Sequence, residues 1–406
     1  MSNCIVCQQP GIKEFLDLGE TTLANKFIKK EEIGCSEPMF PLTVGFCENC
    51  GHVQLMEIVP PPAMFDHYLY ISSLSETLKN HLHDLATKVV ERCSLTSDDL
   101  AVDIGSNDGT LLSGFLKHGV KVLGVDPAAN LAELAREKGV ETFTGYFGAE
   151  TATKLKAEYG PASVLTSTNS FPHIPDLNDF VKGIAIMLSD TGSMFIEAHY
   201  LRDLLEQNAF DTIYHEHCSY WGLTAAQHLF NRHGLEVVNV ERMPLHHGQL
   251  RMTIQRQGTS TPTAAVTQML ADEKEIGMDK LSTYEDFAQE ALKLKEELNA
   301  TIQKAKAEGR QVVGYGAPAK GNTLLTFLGI GPEHLDYIAD RSPLKQGRYT
   351  PGTHIPVVPA EKILEDQPDY VLLLAWNFAE EIMGQQSEYR ERGGKFIIPV
   401  PKVQVV

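Results

Sequence analysis

The sequence predicts an α/β protein in three parts: a small N-terminal zinc-binding module, a Rossmann-like domain, and a second Rossmann-like domain at the C-terminal end. Three observations predict this. Two C-x-x-C pairs stand near the start, Cys4-Ile-Val-Cys7 and Cys47-Glu-Asn-Cys50. A short apolar run, a glycine turn and a helical pattern succeed one another from Leu100 to Leu112. The same succession returns from Gln311 to Asn322. With 406 residues and roughly 100–200 per domain, the expected divisions are 1–70, 71–258 and 259–406.

Composition narrows the function classes. Lys and Arg number 35 against 53 Asp and Glu, a net charge of −18, and so acidic a surface repels phosphate backbones. No nucleic-acid partner is therefore expected. The start shows no basic stretch followed by an apolar one, and the apolar run at Tyr370–Ala375 is too short to span a bilayer. The expected setting is cytoplasmic, away from membranes, as a monomer or homodimer. Seven cysteines without an export signal read as thiols or metal ligands rather than as a disulfide framework.

Each C-x-x-C pair places two thiolates on one tight turn, and two such turns complete a tetrahedral zinc site with no open position. Cys4, Cys7, Cys47 and Cys50 are the expected ligands of a structural Zn2+, with Cys35 a spare thiol and His52 a weaker substitute. Four sulfurs leave no place for water, so a catalytic zinc is disfavoured. A segment this small has little core, and the metal is expected to supply much of its folding free energy.

The middle part begins with the strand Leu100-Ala-Val-Asp-Ile-Gly105 and the turn Ser106-Asn-Asp-Gly109. The second strand, Lys121–Val125, ends at Asp126, about 20 residues after the turn, where a carboxylate suits a ribose diol. The turn is not G-x-G-x-x-G, the pattern that cradles a pyrophosphate. It reads D-x-G-x-x-x-G, from Asp103 through Gly105 and Asn107 to Gly109, the signature of methyltransferases that use S-adenosyl-L-methionine. That cofactor has no phosphate to hold. Gly145-Tyr-Phe147 offers rings to flank adenine, and Asn169-Ser-Phe-Pro-His173 follows the fourth strand, Ala162–Thr168, at the carboxyl edge where ligands sit. Ser193–Glu197, then Leu235–Val240 and Gln249–Ile254 as an antiparallel pair, complete a seven-stranded sheet of the class I methyltransferase type.

The segment Tyr214-His-Glu-His217 concentrates ionisable groups. An imidazole is the natural proton acceptor near neutral pH, Glu216 can orient or charge-stabilise a neighbouring ring, and Tyr214 can donate to a developing oxyanion. A rival reading makes His215, His217 and Cys218 a second metal site. On a helix, His-x-His points its rings about 200° apart, which disfavours it, although on a strand they would share a face. His173, Tyr68, Tyr70, His246 and His247 are further candidates, with His173 preferred over the last pair.

The last part starts with a charge-rich helical stretch over 259–310. A new strand and glycine turn follow in Gln311-Val-Val-Gly-Tyr-Gly316, and further strands stand at Leu335–Ala339, Tyr370–Leu374 and Lys395–Val400. A helix N-terminus after Gly316 with Lys320 nearby suits a diphosphate. Trp376, Asn377 and His354 are candidate contacts.

Taken in order, these motifs resemble the three-domain sugar C-methyltransferases of bacterial deoxysugar pathways, in particular the C-3′ methyltransferases of nucleotide-linked 4-keto-6-deoxysugars. The likeness covers essentially the whole chain: the two C-x-x-C pairs, Tyr68-x-Tyr-x-Ser-Ser, Val102-Asp-Ile-Gly-Ser-Asn-Asp-Gly109, Asn169 with His173-Ile-Pro, Tyr214-x-Glu-His217 and Val313-Gly-Tyr-Gly-Ala-x-x-Lys320. The resemblance implies that His217 is the base, that Tyr214 and Glu216 line the sugar site, and that His173 and Tyr68 assist. It implies methylation at C-3 through an enolate. It also implies that the C-terminal part helps hold the nucleotide-linked 4-keto-deoxysugar; Lys320 and Asn377 there, with Tyr70 from the first part, are the expected contacts. Two departures stand out. His215 fills the variable position of the motif, and Cys218-Ser-Tyr-Trp follows where larger apolar residues are common.

Two other classes compete. A zinc-containing NAD(P)-dependent oxidoreductase would use Gly314-x-Gly316 and Asp340, but Ala319 stands where the fingerprint has its third glycine. A non-enzymatic zinc-ribbon adaptor would leave the His217 cluster without purpose.

Overall fold

The computed structural model describes residues 3–65, 70–244 and 248–406. Tyr68, His246 and His247 lie outside the described residues.

The N-terminal module is built on an antiparallel sheet of β1 (Ile12–Thr21), β2 (Phe40–Cys47) and β3 (Val53–Leu55). Along β1 the pattern has period two: Leu16 and Leu18 point inward while Asp17 faces solvent. This face has no second layer of its own. The charge-rich stretch supplies one. It forms two helices, Ala264–Glu275 and Leu281–Ala307. The longer helix buries Tyr284, Phe287, Ala291, Leu294, Leu298 and Ile302, a stripe at i, i+3, i+7 spacing. Tyr284 stacks on Phe46 of β2 at 4.6 Å, so the first and last parts of the chain share one core.

The middle sheet has five parallel strands: β4 (Leu100–Ile104), β5 (Lys121–Asp126), β6 (Thr142–Thr144), β7 (Ala162–Thr168) and β8 (Leu188–His199). The short β9 (Ser219–Tyr220) leaves this sheet and joins the N-terminal one, pairing Tyr220 with Val53 of β3. β10 (Leu235–Met243) and β11 (Gln249–Arg256) close the sheet as the expected antiparallel pair, in the order β10-β11-β8-β7-β4-β5-β6. Strand order reverses between β4 and β7, which opens a crevice at their carboxyl ends. The turn at Gly105 borders it. Gly105 has φ +75°, and a Cβ there would lie 2.5 Å from that of Ser170, so only glycine lets the turn pass the loop after β7.

Beneath that crevice lies a buried carboxylate. Glu197 on β8 takes 2.6 Å bonds from the Arg251 guanidinium and a 2.8 Å contact with His81. Burial pushes its carboxyl up, but His81 and Arg251 more than offset this and hold it below the usual range. The Glu197 carbonyl accepts from Asn169 N–H at 2.9 Å, so this network seats the loop after β7. Glu197→Ala leaves the buried Arg251 with only the half-exposed Glu241, 3.3 Å away, and is expected to cost about 3 kcal/mol in urea denaturation at pH 7, the low end for breaking a buried pair. Because the folded pKa is depressed, the contribution is present above the ordinary glutamate pKa and is lost as pH falls through the lower, folded value.

The third sheet consists of β12 (Val312–Tyr315), β13 (Ile338–Asp340), β14 (Val357–Pro359), β15 (Tyr370–Leu373), β16 (Lys395–Ile398) and β17 (Gln404–Val405). Its order is β14-β13-β12-β15-β16-β17, parallel except for the last strand. The order reverses between β12 and β15, and the turn glycine there, Gly316, has φ +80°. The two sheets therefore repeat one device. Asp126 at the end of β5 accepts from the N–H groups of Asn107 and Ala128 at 2.8 and 2.9 Å. Asp340 at the end of β13 accepts from those of Ala317 and Ser342 at 2.6 and 2.7 Å. Among the described residues no helix is long and apolar enough to cross a membrane.

Candidate active site

Both crevices open into one cavity of about 1300 Å³. Its walls come from all three parts of the chain: Asn25 and Phe27 from the first, residues 103–107, 168–170 and 173–175 with Thr212, Tyr214, Glu216 and His217 from the second, and 318–320 and 375–378 from the third.

The base candidate sits in the wall between the two sheets. His217 is 6% exposed. Its Nδ1 lies 2.8 Å from the Thr212 carbonyl. A carbonyl only accepts, so Nδ1 carries the hydrogen and Nε2 is left with its lone pair. The Tyr214 hydroxyl, 3.0 Å away, donates to Nε2. Burial first, then the neighbouring imidazoles of His173 and His199, push the His217 pKa well below its ordinary value. The ring is thus neutral at neutral pH and presents one basic nitrogen. Burial also raises the Tyr214 phenol well above its usual pKa, so it stays a hydrogen-bond donor.

His173 lies 5.0 Å from His217 between ring centres, edge to face. It ends a turn, Phe171–His173, whose position is set by packing: Phe171 is fully buried and stacks on Trp221 at 4.2 Å. Burial lowers the His173 pKa to about 4. Glu216 accepts from Asn25 Nδ2 at 2.7 Å. His215 points away from the cavity, with Nε2 at 3.1 Å from the Pro41 carbonyl. Backbone geometry separates it from His217, and the rival metal site of His215, His217 and Cys218 does not form.

The expected cofactor residues gather at the β4–β7 crevice. Asp103, Gly105, Asn107, Asp126, Phe147 and Asn169 line the cavity. Gly109 lies just behind, with φ +73°, at the start of the helix Thr110–Leu116. Asp103 is bound by the Thr166 hydroxyl at 2.6 Å, and burial pushes its carboxyl up to about 7. The Asn107 side chain is engaged by the protein itself: its Oδ1 accepts from Ser72 N–H and its Nδ2 donates to the Tyr70 carbonyl, pinning residues 70–72 to the turn. Tyr70 also lines the cavity.

The third part contributes two lysines. Lys320 lies 3.7 Å above the Trp376 ring and makes no ion pair within 4 Å among the described residues. Burial lowers its pKa to about 8. Lys345 donates to the Ala317 carbonyl at 2.7 Å. Asn377 lines the same wall. His354 does not reach the cavity; it pairs with Glu37 at 2.6 Å and ties the third part to the first.

Sequence reasoning missed Asn25, His199 and Lys345. His199 follows the rule that found His173, being at the carboxyl end of a strand. The strand was read as ending at Glu197, and it runs two residues further.

The four predicted cysteines form one cluster, with ligand atoms all within 4.8 Å of one another. The Cys4–Cys50 and Cys7–Cys47 sulfurs are 3.6 Å apart, close to the ~3.8 Å edge that a tetrahedron with 2.3 Å Zn–S bonds requires. Both turns carry the expected backbone bonds, Gln8 N–H to the Cys4 carbonyl and Gly51 N–H to that of Cys47. Cys35 is exposed and separate, and His52 is buried against Trp221 rather than turned to the sulfurs.

Comparison with known proteins agrees with this architecture. Residues 4–65 match a zinc binding domain, 78–240 a methyltransferase domain, and 244–401 the C-methyltransferase C-terminal domain. The chain is 37% identical to the C-methyltransferase NovU of Streptomyces niveus over 407 residues, 100% of this chain and 97% of that protein. Among solved structures it is similar to PH0226 of Pyrococcus horikoshii (17% identity, TM-score 0.38, 46% of this chain and 95% of that one). It is also similar to a SAM-dependent methyltransferase of Anabaena variabilis (14%, TM-score 0.34, 50% and 100%). Fold and site define an S-adenosylmethionine-dependent methyltransferase with a zinc-binding module. More narrowly, the chain belongs to the C-methyltransferase family.

Proposed function

We propose that the protein methylates C-3 of a nucleotide-linked 4-keto-6-deoxysugar, with His217 as the base that generates the enolate. The observation that carries this reading is the neutral, tautomer-fixed imidazole of His217 in a cavity shared by both sheets. A ketone at C-4 acidifies the hydrogen on C-3. Nε2 of His217 takes that proton. It can do so because the Tyr214 hydroxyl turns its hydrogen from Nε2 to the sugar O-4, which frees the Nε2 lone pair and leaves the phenol in place to stabilise the enolate. His173 is close enough to share that task, and Glu216, held by Asn25, lines the sugar pocket. Bound at the β4–β7 crevice, S-adenosylmethionine supplies an electrophilic methyl group. Asp126 would hold its ribose, Phe147 would flank its adenine, and Asp103, Gly105 and Asn169 would complete the cradle. Methyl transfer then depends on alignment of the two reactants more than on acid–base help.

Lys320, a cation without an ion-pair partner among the described residues, suits the substrate diphosphate, with Asn377 and Tyr70 nearby. On this reading the chain divides into 1–70 for zinc, 71–258 for the cofactor and 259–406 for the nucleotide. The test is incubation with labelled S-adenosylmethionine and a panel of dTDP-, GDP- and CDP-linked 4-keto-6-deoxyhexoses, with NMR to locate the new methyl carbon. Transfer to none of them, or to oxygen, would overturn it.

Asp126→Ala is expected to weaken S-adenosylhomocysteine binding by about 10–100-fold, the range for losing hydrogen bonds to a charged group. Calorimetric titration checks this, and unchanged affinity would remove Asp126 from the ribose.

A further inference from the structure

His217 owes its tautomer to one carbonyl, that of Thr212. Thr212 closes a short turn, Phe210–Thr212, and its neighbour Asp211 is fully buried. A carboxylate at zero exposure demands a partner. Besides the N–H groups of its own turn and the charge of Lys320, a side-chain partner comes from the other sheet, 165 residues away: Trp376 Nε1–H donates to Asp211 Oδ2 at 2.6 Å. Trp376 opens the turn after β15, at the carboxyl edge of the third sheet, and is itself 5% exposed. The helix Ala319–Leu328 packs on the Phe210–Thr212 turn, where Phe327 meets Phe210 at 5.3 Å. A face of the Trp376 indole carries Lys320. An unbroken chain of contacts therefore runs from Lys320 through Trp376, Asp211 and Thr212 to the imidazole.

We propose that Asp211 and Trp376 are positioning residues: their hydrogen bond holds the Thr212 carbonyl in place from the C-terminal part and thereby keeps His217 in its proton-accepting form. The consequence rests on His217 being the base. The base is then assembled across two domains, and it is competent only when the third sheet is docked. The indole N–H matters here more than its bulk. A charge-assisted bond is short and directional, so it fixes a backbone carbonyl that packing alone would leave free to tilt.

The test uses the full-length zinc-loaded protein. Trp376→Phe keeps a ring under Lys320 but deletes the N–H. Asp211→Ala deletes the acceptor from the other side, and Asp211→Asn restores an oxygen there. Imidazole nitrogen shifts of His217, assigned with a His217→Asn control, report the tautomer without substrate. The wild type is expected to show Nδ1–H alone. Trp376→Phe and Asp211→Ala should show a mixture, with deuterium exchange at sugar C-3 slowed about ten-fold and S-adenosylhomocysteine affinity unchanged. Asp211→Asn should resemble the wild type. Unaltered His217 shifts in both disruptive variants, or an Asp211→Asn variant as impaired as Asp211→Ala, would overturn the proposal. If one disruptive variant fails to fold, the other decides. Absence of C-3 exchange in the wild type would instead refute the base assignment, leaving the shift measurement to judge the contact by itself.

Discussion

His217→Asn is expected to lower turnover by about 10²–10⁴-fold while leaving S-adenosylhomocysteine affinity nearly intact. Asparagine fills much of the space and can still donate to the Thr212 carbonyl, so the loop should keep its place. What it lacks is a nitrogen that can accept a proton. Deuterium exchange at sugar C-3, run with S-adenosylhomocysteine so that no methyl can be transferred, isolates the proton step and should fall with turnover. The pH profile carries a second signature. Burial and the neighbouring His173 and His199 favour the neutral ring, so the pKa of the base lies below the ordinary histidine value. The rate should therefore rise with pH only at the acid end and be level from about pH 6.5 upward, where the unperturbed group would still be titrating. An acid limb centred at or above pH 7, or exchange surviving in the variant, would show that another group removes the proton.

The parts of this arrangement that were legible in the sequence are those encoded by near neighbours. Paired C-x-x-C turns fix two sulfurs each, and the strand–turn–helix at Asp103–Gly109 announces its crevice because only a glycine passes Ser170 there. Tyr214 and His217 are three residues apart, and their hydrogen bond closes within that span. The rest depends on contacts no local pattern contains. Asn25 reaches Glu216 across 191 residues because Asn322 holds the Ala24 carbonyl, and nothing near position 25 marks it as part of a site. Lys345 enters the cavity on a loop whose path is set by the third sheet. Ser219 and Tyr220 looked like the tail of the catalytic motif, yet they form a strand of the N-terminal sheet. A two-residue strand has too short a pattern to be read without its partner.

That last pairing makes the zinc cluster consequential for catalysis. β2 ends at Cys47, and β3 starts three residues after Cys50, so the second cysteine turn sets the register of β3. β3 in turn holds β9, and Leu55 N–H donates to the Cys218 carbonyl at 3.1 Å, one residue from His217. The other turn is docked on the methyltransferase sheet's helices, where Arg232 and Asn178 bind the carbonyls of Cys7 and Ile5. A structural zinc site contributes about 10–16 kcal/mol of apparent binding free energy, as much as the whole stability of a typical domain, about 5–15 kcal/mol. Removing the metal with a chelator, or substituting Cys47→Ser, should therefore unfold the first module and release β9. Turnover is expected to fall by at least about 100-fold, the size of a lost general base, since Tyr214 and His217 lose the strand that anchors them. The cysteines pack in the same apolar cluster as β4 and β5, so S-adenosylhomocysteine affinity should fall too, but by less than turnover, because the Asp103–Gly109 turn is held by β4 and its parallel neighbours β5 and β7. Metal content, far-ultraviolet circular dichroism and calorimetric titration on the same samples distinguish these effects. Metal-free protein with full turnover would mean that β9 holds the catalytic segment without help from the cysteines.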